Sequence, residues 1–388
     1  MWLDPAVRRL RTWPVAGRLW ARYRTWRLEQ DAGRILARGN GVADDLPQGV
    51  VYEATMRCNL HCEFCYVGAL LNVEGEWRQE LPLETLERAF PDKQGLQISL
   101  TGGEIFVRKD IVDALDLFRR KGYVCGYLTT NGTAITDERA EALAQLALRG
   151  FLKHISVSID GPPEVHDVAR GAKGTFDRTA QGLKRLQDAA RRHGAPLRVS
   201  INTTVAAESI DALERIVDVA GDLGIDAIGL NHLMYSTPGE VDETLRLIGE
   251  TDPAVIATFV TPGPGLSPAL VREKVNALQA RCREQGIHFD YRPRVSDTLI
   301  EPYYTPGSPI AGRCLYPFRH ARVGFSGKVY FCPFIRVEVG DLTQQTLGEV
   351  WNSDRYVALR RTLLEHRLFP VCRRCCKVEL DQPGSPRP

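Results

Sequence analysis

The sequence predicts an α/β protein built on a parallel sheet, and three observations predict it. Apolar, β-rich runs recur at 50–56, 96–101, 123–129, 154–160, 197–205 and 226–234. Helical stretches fall between them at 83–90, 109–121, 137–149, 175–193 and 209–223, with Gly and Asn at the ends. The runs read as near-continuously apolar, the pattern of strands covered by helices. Six such units make an open sheet or an incomplete barrel, and in either one the chemistry sits at the carboxyl ends of the strands.

The polar signatures fall where that rule demands. A cysteine triplet follows the first strand, Gly102-Gly103-Glu104 the second, Thr129-Thr130-Asn131-Gly132 the third and Asp160-Gly161 the fourth. The strand ends therefore converge on one site. Residues 235–312 break the alternation with proline-rich turns, a helix near 268–285 and a strand-like run at 288–293, and read as a bridge or lid. A short hairpin (ARVGF-SG-KVYFC) and a helix near 346–365 then lead into the terminal cysteines, and the last seven residues look frayed.

The chain has 388 residues, 44% of them hydrophobic, with 50 Lys+Arg against 48 Asp+Glu and a formal net charge of +2. That balance gives no global drive toward nucleic acid. No apolar run approaches the ~18 residues of a membrane span, and the N-terminus lacks the apolar core of a secretory signal. A cytoplasmic protein is expected. Residues 8–38 carry nine arginines and two acids interleaved with Leu10, Trp13, Leu19, Trp20, Tyr23, Trp26, Leu28 and Ile35. Such a basic amphipathic helix packs on its own domain with arginine stems covering apolar surface, or else makes a peripheral membrane or partner contact through residues 5–40. Asn40 to Gln48 reads as a short linker.

Ten cysteines are too sparse for a disulfide scaffold in a chain this long, and their clustering points to metal sites in a reduced compartment. Cys58, Cys62 and Cys65 are spaced C-x3-C-x2-C on the loop after a buried strand. Three thiolates there can hold three irons of a four-iron cubane and leave the fourth open to a chelating small molecule. A zinc knuckle needs a fourth ligand, for which His61 is the nearby candidate. The second set, Cys314-x17-Cys332-x39-Cys372-x2-Cys375, fits either a zinc ribbon or a second cluster. Cys376 either replaces Cys375 as ligand or is a buried thiol; Cys125 and Cys282 read as packing residues.

At CNLHCEFC the sequence resembles the radical S-adenosylmethionine (radical SAM) superfamily, whose cysteine loop has an aromatic, here Phe64, before the last cysteine. LTGGE resembles that family's GGE stretch, and SVSIDGPPEVHDVARGAKGTFDR resembles a third. The resemblance covers about residues 50–235 and implies a partial (β/α)6 TIM-like barrel. It further implies that Cys58, Cys62 and Cys65 hold a SAM-binding [4Fe–4S] cluster and that Phe64 lies near the adenine. Gly102, Gly103 and Glu104 would hold the methionine amino group, and Ser158 and Arg178 the ribose and carboxylate, with Arg170 competing for the anion. An external one-electron reductant such as flavodoxin or ferredoxin supplies the electron that splits SAM into a 5′-deoxyadenosyl radical.

The Gly327-x4-Cys332 element and the segment GDLTQQTLGEVWNSDRYVALR resemble the SPASM/twitch extensions of that family, in the one-cluster twitch form, since no cysteine follows Cys376. This implies a second, auxiliary [4Fe–4S] cluster on Cys314, Cys332, Cys372 and Cys375. With four ligands it has no open iron, so electron transfer is its expected work. The chain then divides into a basic helical extension (1–48), the barrel (49–235), a bridge or lid (236–312) and a small twitch/SPASM-like cluster domain (313–381).

The expected function is an oxidoreductase that takes hydrogen from a small-molecule substrate while the auxiliary cluster accepts an electron. The alternatives are a peptide maturase crosslinking a ribosomal precursor, a lipid-modifying enzyme, or a non-catalytic cluster carrier. The 57 residues before Cys58 are too few for the peptide-binding module many maturases carry. No catalytic base is assigned. His166, Asp167, His232, Tyr235 and the bridge residues Asp290, Arg292, Arg294, Asp297, Glu301, Tyr303 and Tyr304 are each more simply structural.

Overall fold

The computed structural model describes residues 26, 29–44 and 46–381. Most of the basic segment expected over 5–40, and the last seven residues, lie outside the described residues. Helical residues 29–38 bury Ala32 and Ile35, and Asp31 pairs with Arg319 at 2.7 Å. The segment after them is pinned to the C-terminal region, with Ala43 N donating to Asn352 and Trp351 Nε1 to Asp44 O.

One ten-stranded sheet organises the molecule. Its strands β1 (Gly49–Thr55), β2 (Gln97–Gly102), β3 (Val124–Thr130), β4 (His154–Ser158), β5 (Arg198–Thr204) and β6 (Ala227–Asn231) lie in chain order and pair in parallel. Helices cover the outside. The helix Ile111–Arg120 buries Ile111, Ala114, Leu115 and Phe118, the spacing of one helical face, and Phe118 meets Tyr52 of β1 edge-on. Each such large side chain contributes about 1.5–3 kcal/mol by leaving water. Thr136 caps the helix Asp137–Leu148 by accepting from Arg139 N, and Gly194, at φ +61°, ends the helix Thr175–His193. This is the partial (β/α)6 barrel.

The strands are not uniformly apolar. Tyr52 and Ala54, Ile98 and Leu100, and Ile155 and Val157 are buried apolar residues on one face of their strands. The alternate positions are polar: Glu53, Ser99 and Thr101, Tyr127 and Thr129, Ser156 and Ser158, Asn202, Asn231. Ser99, Thr101, Tyr127 and Thr129 line an internal cavity. An incompletely closed barrel holds a ligand space rather than packed side-chain layers, so a period of two returns to its parallel strands.

The region from 235 to 312 is tied into the barrel. Strand β7 (Tyr235–Ser236) pairs with β8 (Phe259–Val260), and β9 (His288–Arg292) extends the main sheet beside β6. Three helices, Pro238–Ile248, Pro268–Glu284 and Asp297–Tyr304, complete it; the sequence marked only the second. Strand β10 (Gly312–Arg313) then pairs with the terminal β14 (Glu379–Leu380). At the other edge, β11 (His320–Val323) joins β1 in parallel, and β12 (Lys328–Tyr330) and β13 (Glu338–Asp341) follow antiparallel. The predicted hairpin is therefore a continuation of the barrel sheet. No helix among the described residues is long and apolar enough to cross a membrane.

Candidate cofactor site and second cysteine cluster

The loop after β1 brings Cys58, Cys62 and Cys65 to a cavity of about 190 Å³ whose wall also includes Gly102, Gly103, Glu104, Asn131, Ser158 and Arg170. Two glycines make this close approach possible. A Cβ on Gly102 would lie 2.0 Å from Thr55 O, and one on Gly103 2.3 Å from Arg57 O and 3.0 Å from Cys58 Cβ. Glu104 N donates to Arg57 O, so the GGE turn and the cysteine loop are held together by backbone.

Glu104 is buried, and its carboxylate accepts from Phe106 N (3.1 Å), Thr130 Oγ1 (2.8 Å) and Asn131 N (2.6 Å). Burial raises its pKa against those three bonds. The side chain thus fastens the ends of β2 and β3, leaving about one of its four lone-pair sites for a ligand. Ser158 is buried at the end of β4. Arg170 is buried too; it pairs with Asp160 at 2.5 Å, reaches Cys62 Sγ at 3.7 Å and lies over the Phe64 ring at 5.5 Å. Arg178 is exposed, bonds Lys173 O and Thr175, and does not line the cavity. Asp167 accepts from Gly174 N and Phe176 N and shapes the loop that carries Arg170.

The second cysteine set assembles from three segments: Cys314 after β10, Cys332 after β12, and Cys372 and Cys375 in the terminal loop. Burial pushes the Cys314 thiol up to about 12 and Cys332 to about 11, and Cys372 is raised by burial and by the charges of Cys332 and Cys314. Cys375 is raised first by its hydrogen bond with Cys376 and also feels Cys372 and Cys314. Cys376 is lowered by that bond and by the charges of Lys377, Arg292 and Arg322, against burial. The charges of Cys314, Cys332, Cys372 and Cys375 are thus felt by one another, and Cys376 is hydrogen-bonded to Cys375 at the edge of that group.

The donor chemistry fits iron–sulfur clusters at both sites. Backbone amides are aimed at the sulfurs: Leu60 at Cys58, Val67 at Cys65, Tyr316 at Cys314, Ile335 at Cys332 (3.2 Å) and Lys377 at Cys375 (3.5 Å). Such donors stabilise thiolate and tune cluster potential. Among the described residues no three His, Cys, Asp or Glu side chains stand close enough to share one metal ion. A four-iron cubane spreads its thiolates over a wider frame.

Between the two cysteine sets lies a second cavity, of about 180 Å³. It shares Tyr66, Thr101 and Thr129 with the first and is walled on its far side by Cys375, Cys376, Lys377, Arg322 and Phe334. Sequence reasoning missed Glu53, Arg322 and Arg336. Arg322 donates to Glu53 through Nε and Nη2, both residues buried where β1 meets β11, and the half-buried Arg336 adds bonds through Nη1 and Nη2. The two guanidiniums hold the Glu53 carboxyl down at about 2 although burial alone would raise it. The available signal was the lone charge inside VVYEATM.

The candidate bases are structural. His232 Nδ1 shares a hydrogen bond of 2.8 Å with Tyr304 OH inside a cage of Tyr291, Tyr303 and Tyr304, and burial pushes its pKa down to about 3. Tyr235 OH donates to Tyr303 O, and His166 Nδ1 accepts from Asp160 N. None of the three lines the central cavity. Cys125 and Cys282 are buried in the core.

Residues 52–220 match the radical SAM superfamily, and residues 314–376 match the iron–sulfur cluster-binding SPASM domain. The chain is a radical SAM protein with a C-terminal SPASM domain. Its cofactors are accordingly SAM, a SAM-binding [4Fe–4S] cluster and an auxiliary cluster. The chain is 24% identical over 331 residues, 82% of each protein, to the AdoMet-dependent heme synthase of Nitratidesulfovibrio vulgaris. It is 33% identical to the PqqA peptide cyclase of Streptomyces rochei over 191 residues, 49% of each chain. In fold it is similar to Streptococcus suis SuiB bound to S-adenosylmethionine, with a TM-score of 0.56 at 17% identity, covering 81% of this chain and 68% of that one.

Proposed function

We propose that the protein is an oxidoreductase that removes hydrogen from a small polar molecule held between its two clusters. The observation that carries this reading is the pair of cavities with common walls, one against the first cysteine loop and one against Cys375 and Cys376. When bound, SAM on the first cluster would supply a 5′-deoxyadenosyl group that accepts a hydrogen atom, the second cluster would accept the electron left behind, and the accompanying proton would pass to solvent.

Cys58, Cys62 and Cys65 would hold the first cluster, and Cys314, Cys332, Cys372 and Cys375 the second. Phe64, Gly102, Gly103, Glu104 and Ser158 would hold SAM. For the carboxylate of SAM, the buried Arg170 on the cavity wall is better sited than the exposed Arg178. Val51, Met234, Pro333 and Phe334 give the central cavity an apolar lining that keeps water from the reacting carbon. Since a cavity of ~150 Å³ accommodates one benzene, the 180 Å³ here suits a single ring or one side chain at the point of reaction. A flavodoxin- or ferredoxin-like donor would supply the first electron. The likeness to the heme synthase over four-fifths of the chain supports a metabolite substrate.

A second reading, in which the reacting carbon belongs to a peptide side chain, is favoured by the likeness to the PqqA peptide cyclase over about half of each chain. One experiment separates the two. Cluster-loaded protein is given reductant and SAM with either the ultrafiltered small-molecule fraction or the peptide fraction of a host extract, and 5′-deoxyadenosine is counted. Stimulation by the small-molecule fraction, with product lost but SAM cleavage kept in Cys372→Ala, is expected. Stimulation by the peptide fraction alone, or product made equally well without Cys372, contradicts the reading.

A further inference from the structure

We propose that the central cavity is a carboxylate-recognition site, with Arg322 and Lys377 as the substrate's anion anchor. The inference rests on the substrate position proposed above and specifies the chemical class that position admits. Arg322 is only 5% exposed, yet it lines the cavity. Its Nε and Nη2 donate to Glu53 and Nη2 also reaches Tyr66 OH at 3.4 Å, while Nη1 makes no hydrogen bond to the protein among the described residues.

The charge count points the same way. Glu53 is one carboxylate shared by the buried Arg322 and the half-buried Arg336, so this group carries one more guanidinium than carboxylate, and with Lys377 there are two cations beyond what Glu53 balances, against the single Cys376 thiol. An uncompensated buried cation is costly unless something anionic meets it. Lys377 stands on the same wall with no carboxylate partner among the described residues; its Nζ lies 5.9 Å from the Tyr316 ring. Neighbouring His320 has its pKa pushed down to about 4 by burial and by Lys377 and Arg319, so it adds no third charge near neutral pH. The opposite wall offers hydroxyls: Ser99, Thr101, Tyr127 and Thr129.

An arginine and a lysine lining one space suit a carboxylate, with the hydroxyl wall taking the polar groups of the same molecule. Glu53 and Arg336 act as positioning residues. Arg336 binds both Glu53 oxygens and stacks on Tyr330 at 4.0 Å, so Glu53 is fixed and Arg322 is aimed by it. The substrate class is then a small molecule bearing a carboxylate a short distance from the carbon that loses hydrogen.

The test needs no turnover, so its failure leaves the proposed oxidation standing and the failure of that oxidation leaves the binding result standing. Benzoate and benzamide, equal in size and differing in charge, are titrated calorimetrically into the cluster-loaded, SAM-bound protein. Benzoate is expected to bind at least about tenfold more tightly, one charge-assisted contact's worth. Lys377→Met should erase most of that preference while iron content and SAM affinity stay unchanged; Arg322→Gln, in which Glu53 remains paired with Arg336, should erase it as well, measured on the fraction that retains its full iron. Equal binding of the two probes, binding of neither, or an undiminished preference in both variants overturns the proposal. So does a changed auxiliary-cluster potential with no change in preference, because the cations would then serve the cluster.

Discussion

Cys375 and Cys376 are chemically alike and adjacent, and only their surroundings separate them. Cys375 shares the electrostatic field of Cys372 and Cys314, whereas Cys376 faces Arg322, Arg292 and Lys377. In a variant whose first cluster has been deleted, Cys376→Ser should therefore keep its iron and Cys375→Ser should lose most of it, as counted by iron and sulfide analysis. His232 gives a second test at this scale. Its folded pKa of about 3 lies below the unfolded value near 6.5, so the unfolded chain takes up a proton first as pH falls. Stability is complete above about pH 6.5 and declines toward pH 3, by roughly 2 kcal/mol between pH 7 and 5. Thermal unfolding should show that decline in the wild type, and His232→Gln should lessen it by about that amount, the rest coming from His166 and His320, whose pKa values burial pushes down to about 4. The two cysteine groupings were legible from spacing, because thiolate sites demand clustered cysteines, whereas the preference for a cluster over zinc at the second came from the family resemblance. Arg170 and Arg178 were not separable, because two arginines eight residues apart differ only in which one the loop buries.

Elements rather than single ligands hold the site in register. The terminal cysteine loop is pinned by Arg374, which is fully buried and donates to Glu240 Oε1 (2.8 Å), Tyr303 O and Thr305 O. Arg374→Met leaves Glu240 buried, with Arg373 at 3.4 Å and the Thr237 N–H at 2.9 Å as its remaining partners. The cost expected is about 3–5 kcal/mol, read as a lower unfolding temperature together with loss of auxiliary iron. On the barrel side, Gly103→Ala drives a Cβ against Arg57 O and Cys58. It should remove the first cluster and SAM binding while sparing the second cluster, so total iron falls to about half. The strands could be read as short apolar runs between helical stretches, but the polar face at every second position, which lines the cavity, was not read from them. The helix Pro238–Ile248 was hidden by its Pro-Gly start, a turn signal in sequence that serves here as the first turn after a Thr237–Glu240 capping box.

At the scale of the whole molecule, the C-terminal strands complete the barrel sheet. Strand β11 pairs with β1, and the seam is locked by Glu53 between Arg322 and Arg336. Glu53→Gln should loosen it, lowering thermal stability by about 3–5 kcal/mol and weakening the retention of both clusters. No pattern in the sequence announces a strand pairing across some 270 residues, and the isolated Glu53 was its one trace. The same pairing brings Cys375 and Cys376 to the wall of a cavity that shares Tyr66, Thr101 and Thr129 with the first cysteine site, and the proposed chemistry depends on that adjacency. The most direct test is the metal and sulfide content of the anaerobically reconstituted Cys58→Ala/Cys62→Ala/Cys65→Ala protein. About four irons and four sulfides, with an electron paramagnetic resonance signal on reduction, are predicted. One zinc and no iron would contradict the account, because the cavity would then adjoin a structural clamp instead of an electron acceptor.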